Sequence, residues 1–234
     1  MHFHIVTLFP QSLDSYLNES ILKRAQEDKK IKISFYNPRD FAAPKVGAKK
    51  APNEMTYSER RVDDKPYGGG PGMVIEALPV MRAIEKAISK TKGKAKSTRT
   101  TKIIFFSPSG TLFDTAYAKV AAKKYTDIIF ICGRYEGIDA RVKKAFKVEE
   151  VSVGPFVLTG GELPAMIVID SVSRQIAGVL GDITSLEETR VAAKDVYTRP
   201  EVVEFKGKKY RVPKVLLSGN HALIEAWKAE INSK

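Results

Sequence analysis

The chain has 234 residues, of which 43% are hydrophobic and 28% are charged, and these fractions are typical of a soluble globular protein. No apolar run is long enough to span a bilayer, and the first residues lack a secretory signal pattern, so we do not expect a membrane protein. The single cysteine, Cys132, excludes a disulfide framework and favours a reducing, cytoplasmic location. The formal net charge of +12 favours a polyanionic partner such as nucleic acid.

The first forty residues have the pattern of an α/β protein. Residues 2–9 predict a first strand, apolar residues at helical spacing between positions 13 and 25 predict a core-facing helix, and residues 31–36 predict a second strand. His2 and His4 lie two residues apart on the first strand, so their side chains share one face. This pair could hold a metal, but no third ligand is evident in the sequence, and we expect a structural role.

A long segment without periodicity, residues 37–73, follows the second strand. So long a loop inside a compact domain is usually functional or disordered. It ends in the glycine-rich run 67–72, which lacks the Lys-Ser/Thr pair of a phosphate-binding loop, and no strand is predicted to lead into it. Glycines without side chains instead let the backbone lie flat against a planar base.

Helices and strands alternate through the middle of the chain. Helices are predicted at 78–88, 113–125, 138–146 and 164–176, with strand-like apolar runs between them. This alternation is typical of a parallel sheet built from crossover units. Residues 90–99 are basic and of low complexity, which predicts a surface loop that could contact an RNA backbone.

Three apolar runs, at 103–110, 128–137 and 151–165, end in turns that contain Gly or Pro. Ligands of open α/β sheets bind at the carboxyl ends of the strands, so we predict that these turns form the walls of one pocket. In a more ordinary alternative, Gly and Pro only punctuate the domain. Pro164 is predicted to occupy the first position of the last helix, where its missing N–H costs nothing.

Four motifs indicate a family. They are VDDKPYGGGPG at 62–72, GRYEGID at 133–139, LTGGELPA at 158–165 and YTRPE at 197–201. In this order they resemble the bacterial tRNA (guanine-37-N1)-methyltransferases, which are S-adenosylmethionine-dependent enzymes of the SPOUT class, over nearly the whole chain. The resemblance implies methylation of N1 of guanosine 37 in the anticodon stem-loop of tRNA, which maintains the reading frame.

The resemblance also implies a fold. We expect an α/β domain with a parallel sheet, helices on both faces and a C-terminal trefoil knot, followed by a small, mainly helical tail domain. The knot follows from the resemblance alone, since topological rules make knots a poor default. A homodimer with two active sites at the interface is also implied. The expected boundaries are a methyltransferase domain at 1–176 with its donor pocket at about 103–176, a linker at 177–197, and a shortened tRNA-binding domain at 198–234.

The resemblance assigns roles position by position. Asp63, Gly70 and Gly72 match the positions that hold the guanine. Arg174 matches the catalytic arginine and would stabilise negative charge that builds on O6. A magnesium ion (Mg2+) is implied for the transfer step, held through Glu136. The residues that match the S-adenosylmethionine pocket are Phe106, Ser107, Pro108, Gly110, Gly133, Tyr135, Glu136, Gly137, Val153, Gly154, Pro155, Phe156, Val157, Leu158, Gly160, Gly161 and Pro164.

The linker departs from the family pattern at the general base. The family has an aspartate where this chain has Thr189, and a hydroxyl cannot act as a base near neutral pH. We hypothesise that Glu188 takes the proton from guanine N1, with Glu187 as the second choice. In the donor loop, Pro155 replaces an aspartate and Phe156 replaces a tyrosine.

The tail is basic, with a hairpin-like piece at 205–212, and has too few apolar residues for a core of its own. The loops at 43–60 and 90–101 are long and basic, and we expect them to contribute phosphate contacts. Two rival functions remain open. One is a SPOUT methyltransferase that acts on a ribose hydroxyl or on ribosomal RNA, and the other is an RNA-binding protein that has lost its catalytic base.

Overall fold

The chain forms two compact units, Met1–Leu180 and Gly181–Lys234. A computed structural model describes residues 1–42, 54, 56, 60–91, 100–181 and 195–232. The predicted loops at 43–60 and 90–101 lie largely outside these residues, as do Glu187, Glu188 and Thr189 of the linker.

The first unit is built on strands that come from distant parts of the chain. They are β1 (His2–Val6), β2 (Lys32–Tyr36), β3 (Asp63–Asp64), β4 (Val74–Ile75), β5 (Thr100–Leu112), β6 (Tyr125–Ile131) and β7 (Glu149–Ser152). Five of them form one sheet in the order β2-β1-β6-β5-β7, with every pairing parallel. The predicted parallel sheet is therefore confirmed. The short strands β3 and β4 pair separately and antiparallel.

Helices cover both faces of this sheet. They are α1 (Gln11–Leu17), α2 (Ser20–Glu27), α3 (Ala77–Thr91), α4 (Thr115–Lys124), α5 (Arg141–Ala145) and α6 (Glu162–Arg174). Successive strand residues point to opposite faces, so β1 sends Phe3 and Ile5 into the core beneath α1, α2, α4 and α6. Val6 of β1 points instead into the second core, with α3 and α5. The sheet is thus a buried layer between two helical layers.

The sequence predicts one continuous helix between positions 13 and 25, and this prediction is wrong. The chain forms two helices, α1 and α2, which are separated at Asn18 and Glu19. Asn and Ser are poor helix residues because their side chains compete for backbone hydrogen bonds, and the run Asn18-Glu19-Ser20 contains both. Leu13, Leu17 and Ala25 are buried as the spacing predicts, whereas Ile21 is only partly buried.

Two other predicted boundaries also move. Pro164 is the third residue of α6 and not the first, because the helix begins at Glu162. The first four N–H groups of a helix have no intrahelical partner, so proline is tolerated there. The helix predicted at 138–146 is confined to Arg141–Ala145, because Ile138 instead forms a bridge with Ile75.

The glycine-rich run is better anchored than the sequence predicts. The short strand β3 does lead into it and β4 follows it, which contradicts the prediction that no strand precedes this run. Earlier in the same segment, Pro38–Phe41 forms a 3₁₀ helix whose first turn is capped by the Asn37 side chain, which accepts a hydrogen bond from the Arg39 N–H.

The second unit contains a hairpin followed by two helices. These elements are β8 (Val202–Phe205), β9 (Lys208–Arg211), α7 (Lys214–Leu217) and α8 (His221–Asn232). The rings of Tyr197 and Trp227 lie 6.4 Å apart, but none of the residues described in this unit is fully buried. Among the helices of the described residues, none has the length and apolarity required to cross a membrane.

Candidate donor-binding site

A cleft of about 230 Å³ opens where β5, β6 and β7 end. Its walls are the three turns that were predicted to form one pocket. All of the predicted donor residues line it except Gly110 and Pro155. Five further lining residues were not predicted from the sequence, and they are Phe105, Arg134, Val151, Ser152 and Thr159.

The first turn is an outward bulge of β5. Val151 of β7 pairs with both Phe106 and Thr111, so the four residues between those two leave the ladder, and two of them, Ser107 and Pro108, line the cleft. Gly110 does not line the cleft; it closes the bulge against β7. A Cβ atom on Gly110 would lie 2.5 Å from the backbone carbon of Glu150, which explains why this position needs glycine. Pro155 is exposed beside the cleft.

The second and third turns are fastened to each other. The Gly161 N–H donates to the Gly133 carbonyl at 3.0 Å, and Arg134 forms a bridge with Gly160. A Cβ atom on Gly161 would lie 2.6 Å from the Cα of Cys132, so these two chain segments pack in direct backbone contact. The two walls therefore hold a fixed separation.

A buried carboxylate reinforces this junction. Glu162 is 3% exposed and accepts a hydrogen bond from the Thr7 hydroxyl at 2.6 Å through Oε1. Its Oε2 lies 2.9 Å from Nε of Arg134, whose guanidinium stacks over the Phe9 ring. The first turn of a helix is a favourable place for a negative charge. We call Thr7, Arg134 and Glu162 the Glu162 clamp. No local signal predicts it, since Thr7 and Glu162 are 155 residues apart.

The lining combines apolar side chains with exposed backbone groups. Phe106, Val153, Phe156 and Leu158 supply the apolar surface, and Glu136 is the one carboxylate among the described lining residues. Such a mixture suits a flat heteroaromatic ligand with polar edges. Burial raises the pKa of the Cys132 thiol beneath the second turn, so this cysteine acts as core packing and not as a nucleophile.

The glycine-rich run is attached to the second turn of the cleft. Glu136 donates its N–H to the Met73 carbonyl, and Ile75 donates its N–H to the Gly137 carbonyl, both at 3.0 Å. Gly72 has a φ of +75°, and a Cβ atom there would lie 2.7 Å from Cγ and Oε1 of Glu136. Gly72 is thus brought against the cleft.

The other two predicted guanine positions have different surroundings. Gly70 has a φ of +118° and is exposed, with open space around it. Asp63, in β3, is paired with Arg61, whose NH2 group lies 3.1 Å from Oδ2.

Arg174 is the last residue of α6 and does not line the cleft of its own chain. It shares a helix face with Leu163 and Ile167, because these three residues are spaced by four and seven. Leu163 is 52% exposed and Ile167 is 45% exposed, so this face carries apolar surface that the described residues leave uncovered. Asp170, on the same face, contacts the Tyr16 hydroxyl. The pKa of Tyr16 is raised mainly by burial and further by the neighbouring Asp170 carboxylate.

The fold and the cleft are those of an α/β protein with a cleft at the carboxyl ends of parallel strands, which is where such sheets bind ligands. The whole chain, residues 1–234, matches the family described as tRNA (Guanine-1)-methyltransferase TrmD. The chain belongs to this methyltransferase family, which confirms the resemblance found in the sequence.

Individual relatives agree with the family. A protein of Clostridioides difficile strain 630 is 42% identical over 234 residues, which covers 98% of this chain and 91% of the relative. A protein of Campylobacter jejuni subsp. doylei is 39% identical, with 100% and 92% covered. A protein of Thermomicrobium roseum is 42% identical, with 97% and 77% covered. Each of the three is named tRNA (guanine-N(1)-)-methyltransferase.

Proposed function

We propose that this chain transfers the methyl group of S-adenosylmethionine to N1 of guanosine 37 in the anticodon stem-loop of tRNA, and so maintains the reading frame. The observation that carries the proposal is the attachment of the glycine-rich run to the cleft through Gly72 and Glu136. This contact couples the proposed guanine site directly to the proposed donor site. Family membership supplies the reaction class.

The cleft residues fit the donor. When bound, S-adenosylmethionine supplies an electrophilic methyl group on a positively charged sulfur. Phe106, Val153 and Leu158 would pack against the adenine, and the backbone of the second and third turns would bond its polar edge. The Glu162 clamp holds those two turns at a fixed spacing before the ligand arrives. The entropic cost of ordering them on binding is therefore lower.

Magnesium fits the cleft less completely. Glu136 supplies one carboxylate, and magnesium sites in proteins use one or two carboxylates together with water or substrate oxygens. Glu136 would therefore hold the ion with ligands from outside the protein, and the ion would supply charge neutralisation at the reacting groups.

Two side chains carry the chemistry in this proposal. Guanine N1 bears a proton and is a poor nucleophile, so Glu188 accepts that proton as the methyl group arrives. Arg174 places a permanent cation beside O6, where negative charge develops. Because Glu188 lies outside the described residues, its role rests on its position in the linker.

The base assignment is tested by single-turnover methyl transfer with Glu188→Gln and Glu187→Gln. Both variants remove one neighbouring carboxylate and keep side-chain size. We expect Glu188→Gln to slow transfer about 100-fold or more and Glu187→Gln to have a small effect. Equal rates for Glu188→Gln and the unmodified protein would disprove the assignment.

The active site is proposed to form between two copies of the chain. Leu163 and Ile167 on α6, with Phe156 and Val157 of the adjoining turn, expose apolar side chains. A cluster of exposed apolar side chains of this kind marks a protein interface. In a homodimer through this surface, Arg174 of one copy would reach the cleft of the other, which accounts for its absence from its own cleft.

A mixed dimer of Arg174→Ala and Glu136→Ala chains distinguishes an active site shared between two copies from one that lies within a single copy. If each site combines Arg174 from one copy with Glu136 from the other, the mixed dimer keeps one intact site and regains about half of the activity, although each variant alone is inactive. If both residues act within one chain, the mixed dimer stays inactive. Differently tagged, co-expressed chains allow the mixed species to be purified.

The finer architecture is part of the same proposal. We propose the boundaries 1–176, 177–197 and 198–234, the trefoil knot within the first domain, the tail as a tRNA-binding domain, and a cytoplasmic location. The β8–β9 hairpin exposes Lys206, Lys208, Lys209 and Arg211, which suits phosphate contacts.

The direct test is a methylation assay with labelled S-adenosylmethionine and tRNA transcripts that carry guanosine or adenosine at position 37. We expect labelled 1-methylguanosine from the guanosine transcript only. Label on a ribose, or only in ribosomal RNA, would favour the other SPOUT activities. Donor and tRNA binding without transfer would favour the RNA-binding protein that has lost its base, for which Thr189 is the motivating residue.

A further inference from the structure

His2, His4 and Asp127 form a buried cluster far from the cleft along the strands. His2 and His4 lie on β1, and Asp127 lies on β6 directly opposite His2 in the ladder. The three residues are 7%, 0% and 2% exposed. They are at the amino ends of the strands, whereas the donor cleft is at the carboxyl ends. The sequence alone offers no third metal ligand near His2 and His4, and the fold supplies one in Asp127.

Three potential ligand atoms converge in this cluster. Nε2 of His4 lies 3.1 Å from Oδ1 of Asp127, and Nδ1 of His2 lies 3.8 Å from the same oxygen. One ligand atom from each residue lies within 4.8 Å of the other two. Tetrahedral zinc with ligand distances of about 2.0–2.2 Å places its ligands roughly 3.3–3.6 Å apart. The ligand atoms would have to close to that spacing, and the rings of His2 and His4, whose centroids lie 3.7 Å apart, would have to turn towards a common centre to form a coordination site.

The outer nitrogen of each ring is already oriented by a hydroxyl group. Nε2 of His2 lies 2.9 Å from Oγ of Ser34, and Nδ1 of His4 lies 3.0 Å from the Tyr36 hydroxyl. When each outer nitrogen donates its N–H to that hydroxyl, the inner nitrogen presents a lone pair to the centre of the cluster. Metal-binding histidines in proteins are oriented by outer hydrogen bonds of this kind.

We propose that His2, His4 and Asp127 bind one zinc ion, which joins β1 to β6 and stabilises the fold. Two imidazoles and one carboxylate are ligands that suit zinc, and a water molecule would complete the tetrahedron from the His2 side, where the cluster is nearest to solvent. The site is independent of the methyl-transfer reaction and of the magnesium ion proposed at Glu136.

The test uses the untagged, full-length protein after treatment with a chelator. Zinc is added, excess is removed by gel filtration, and bound metal is counted by mass spectrometry. We expect one zinc per chain and a higher thermal midpoint than that of the chelated protein, because a ligand that binds only the folded state stabilises it. Cobalt in place of zinc should give the visible absorption of a tetrahedral site.

Asp127→Asn is the decisive variant, since asparagine keeps the shape and a hydrogen-bonding oxygen but loses the charge. We expect its zinc affinity to fall about 100-fold or more. His221→Gln is the matched control, because His221 is exposed in the second unit and should leave binding unchanged. Substoichiometric zinc in the unmodified protein, or binding that survives in Asp127→Asn, would show that the cluster is only a hydrogen-bonded network. If Asp127→Asn does not fold, the cobalt spectrum of the unmodified protein decides between the two.

Discussion

Gly72 joins the proposed guanine site to the proposed donor cleft through a contact that leaves no space for a Cβ atom beside Glu136. We expect Gly72→Ala to slow methyl transfer about 10- to 100-fold, because the new methyl group displaces the Glu136 side chain from its place in the cleft. Single-turnover kinetics with saturating donor and tRNA measure this effect.

Gly68→Ala is the control for backbone strain. Gly68 has a similar φ of +86° but nothing within 4 Å of the Cβ position. Both variants incur the cost of a left-handed alanine, roughly 1–2 kcal/mol, but only Gly72→Ala adds a clash. Equal losses of transfer rate in the two variants would mean that strain, and not the contact with Glu136, explains the result.

At the scale of an element, the start of α6 depends on close backbone packing. Gly161 has an ordinary helical conformation, so alanine there adds no backbone strain. Its Cβ atom would nevertheless lie 2.6 Å from the backbone of Cys132. We expect Gly161→Ala to lower the free energy of unfolding by about 3 kcal/mol, the upper end for overpacking, because backbone cannot move aside.

Urea unfolding measures that loss, with Gly133→Ala as the comparison. A Cβ atom on Gly133 would meet only the Ile138 side chain, at 3.6 Å, which is an ordinary contact. A Gly161→Ala protein as stable as Gly133→Ala would mean that α6 shifts freely on the sheet.

Helix α4 carries a tyrosine whose titration affects stability. Burial, with a smaller effect of Tyr125, raises the pKa of Tyr117 to about 12, and its buried hydroxyl has no hydrogen-bond partner among the residues that the structure describes. In the unfolded chain the same group ionises near pH 10. The unfolded state therefore loses its proton first, and the contribution of Tyr117 to stability is complete below about pH 10 and is lost as the pH rises towards 12.

Tyr117→Phe removes this titrating group. We expect the variant to be at least as stable at neutral pH, since it loses a buried hydroxyl for which the described part of the chain offers no hydrogen bond, and to lose less stability between pH 8 and about 11. Tyr16 and Tyr36 also have raised pKa values, so part of the alkaline decline remains in both proteins. Identical pH profiles from urea unfolding would contradict this role of Tyr117.

The elements show which predictions sequence can support. Strand-like apolar runs that alternate with helices predicted the parallel sheet, because a strand that is buried on both faces is apolar over most of its length. The break between α1 and α2 was missed because apolar spacing continues across it. Thr7, Arg134 and Asp127 were missed as site residues because their partners are distant in sequence, and a single polar residue in a strand carries no signal of what it will meet.

For the whole molecule, the net charge of +12 predicts salt-sensitive binding of tRNA. The basic loop at 92–99 lies outside the described residues, and we predict from its composition that it contacts phosphates. Replacing Lys92, Lys94 and Lys96 by glutamine should reduce the slope of log affinity against log salt by about 0.7–0.9 for each lost contact. Filter binding at several salt concentrations measures the slope.

The control changes the same number of charges elsewhere. Lys23, Arg24 and Lys29 are exposed on and just after α2. Their replacement by glutamine lowers the net charge equally and should weaken binding only slightly, without a change in slope. If both triple variants change the slope alike, the attraction arises from the overall charge and not from a local contact.

We expect the Glu162 clamp also to constrain when the protein can first bind the proposed donor during synthesis. The hydrogen bond between Thr7 and Glu162 spans 155 residues. Thr7, just after β1, can therefore form it only after most of the chain has been translated. A ribosome-bound chain that stops before Glu162 lacks the clamp and the helix α6 that follows the third turn of the cleft. We therefore expect the donor to stabilise only chains in which α6 has been synthesised, and not to assist the earlier stages of folding.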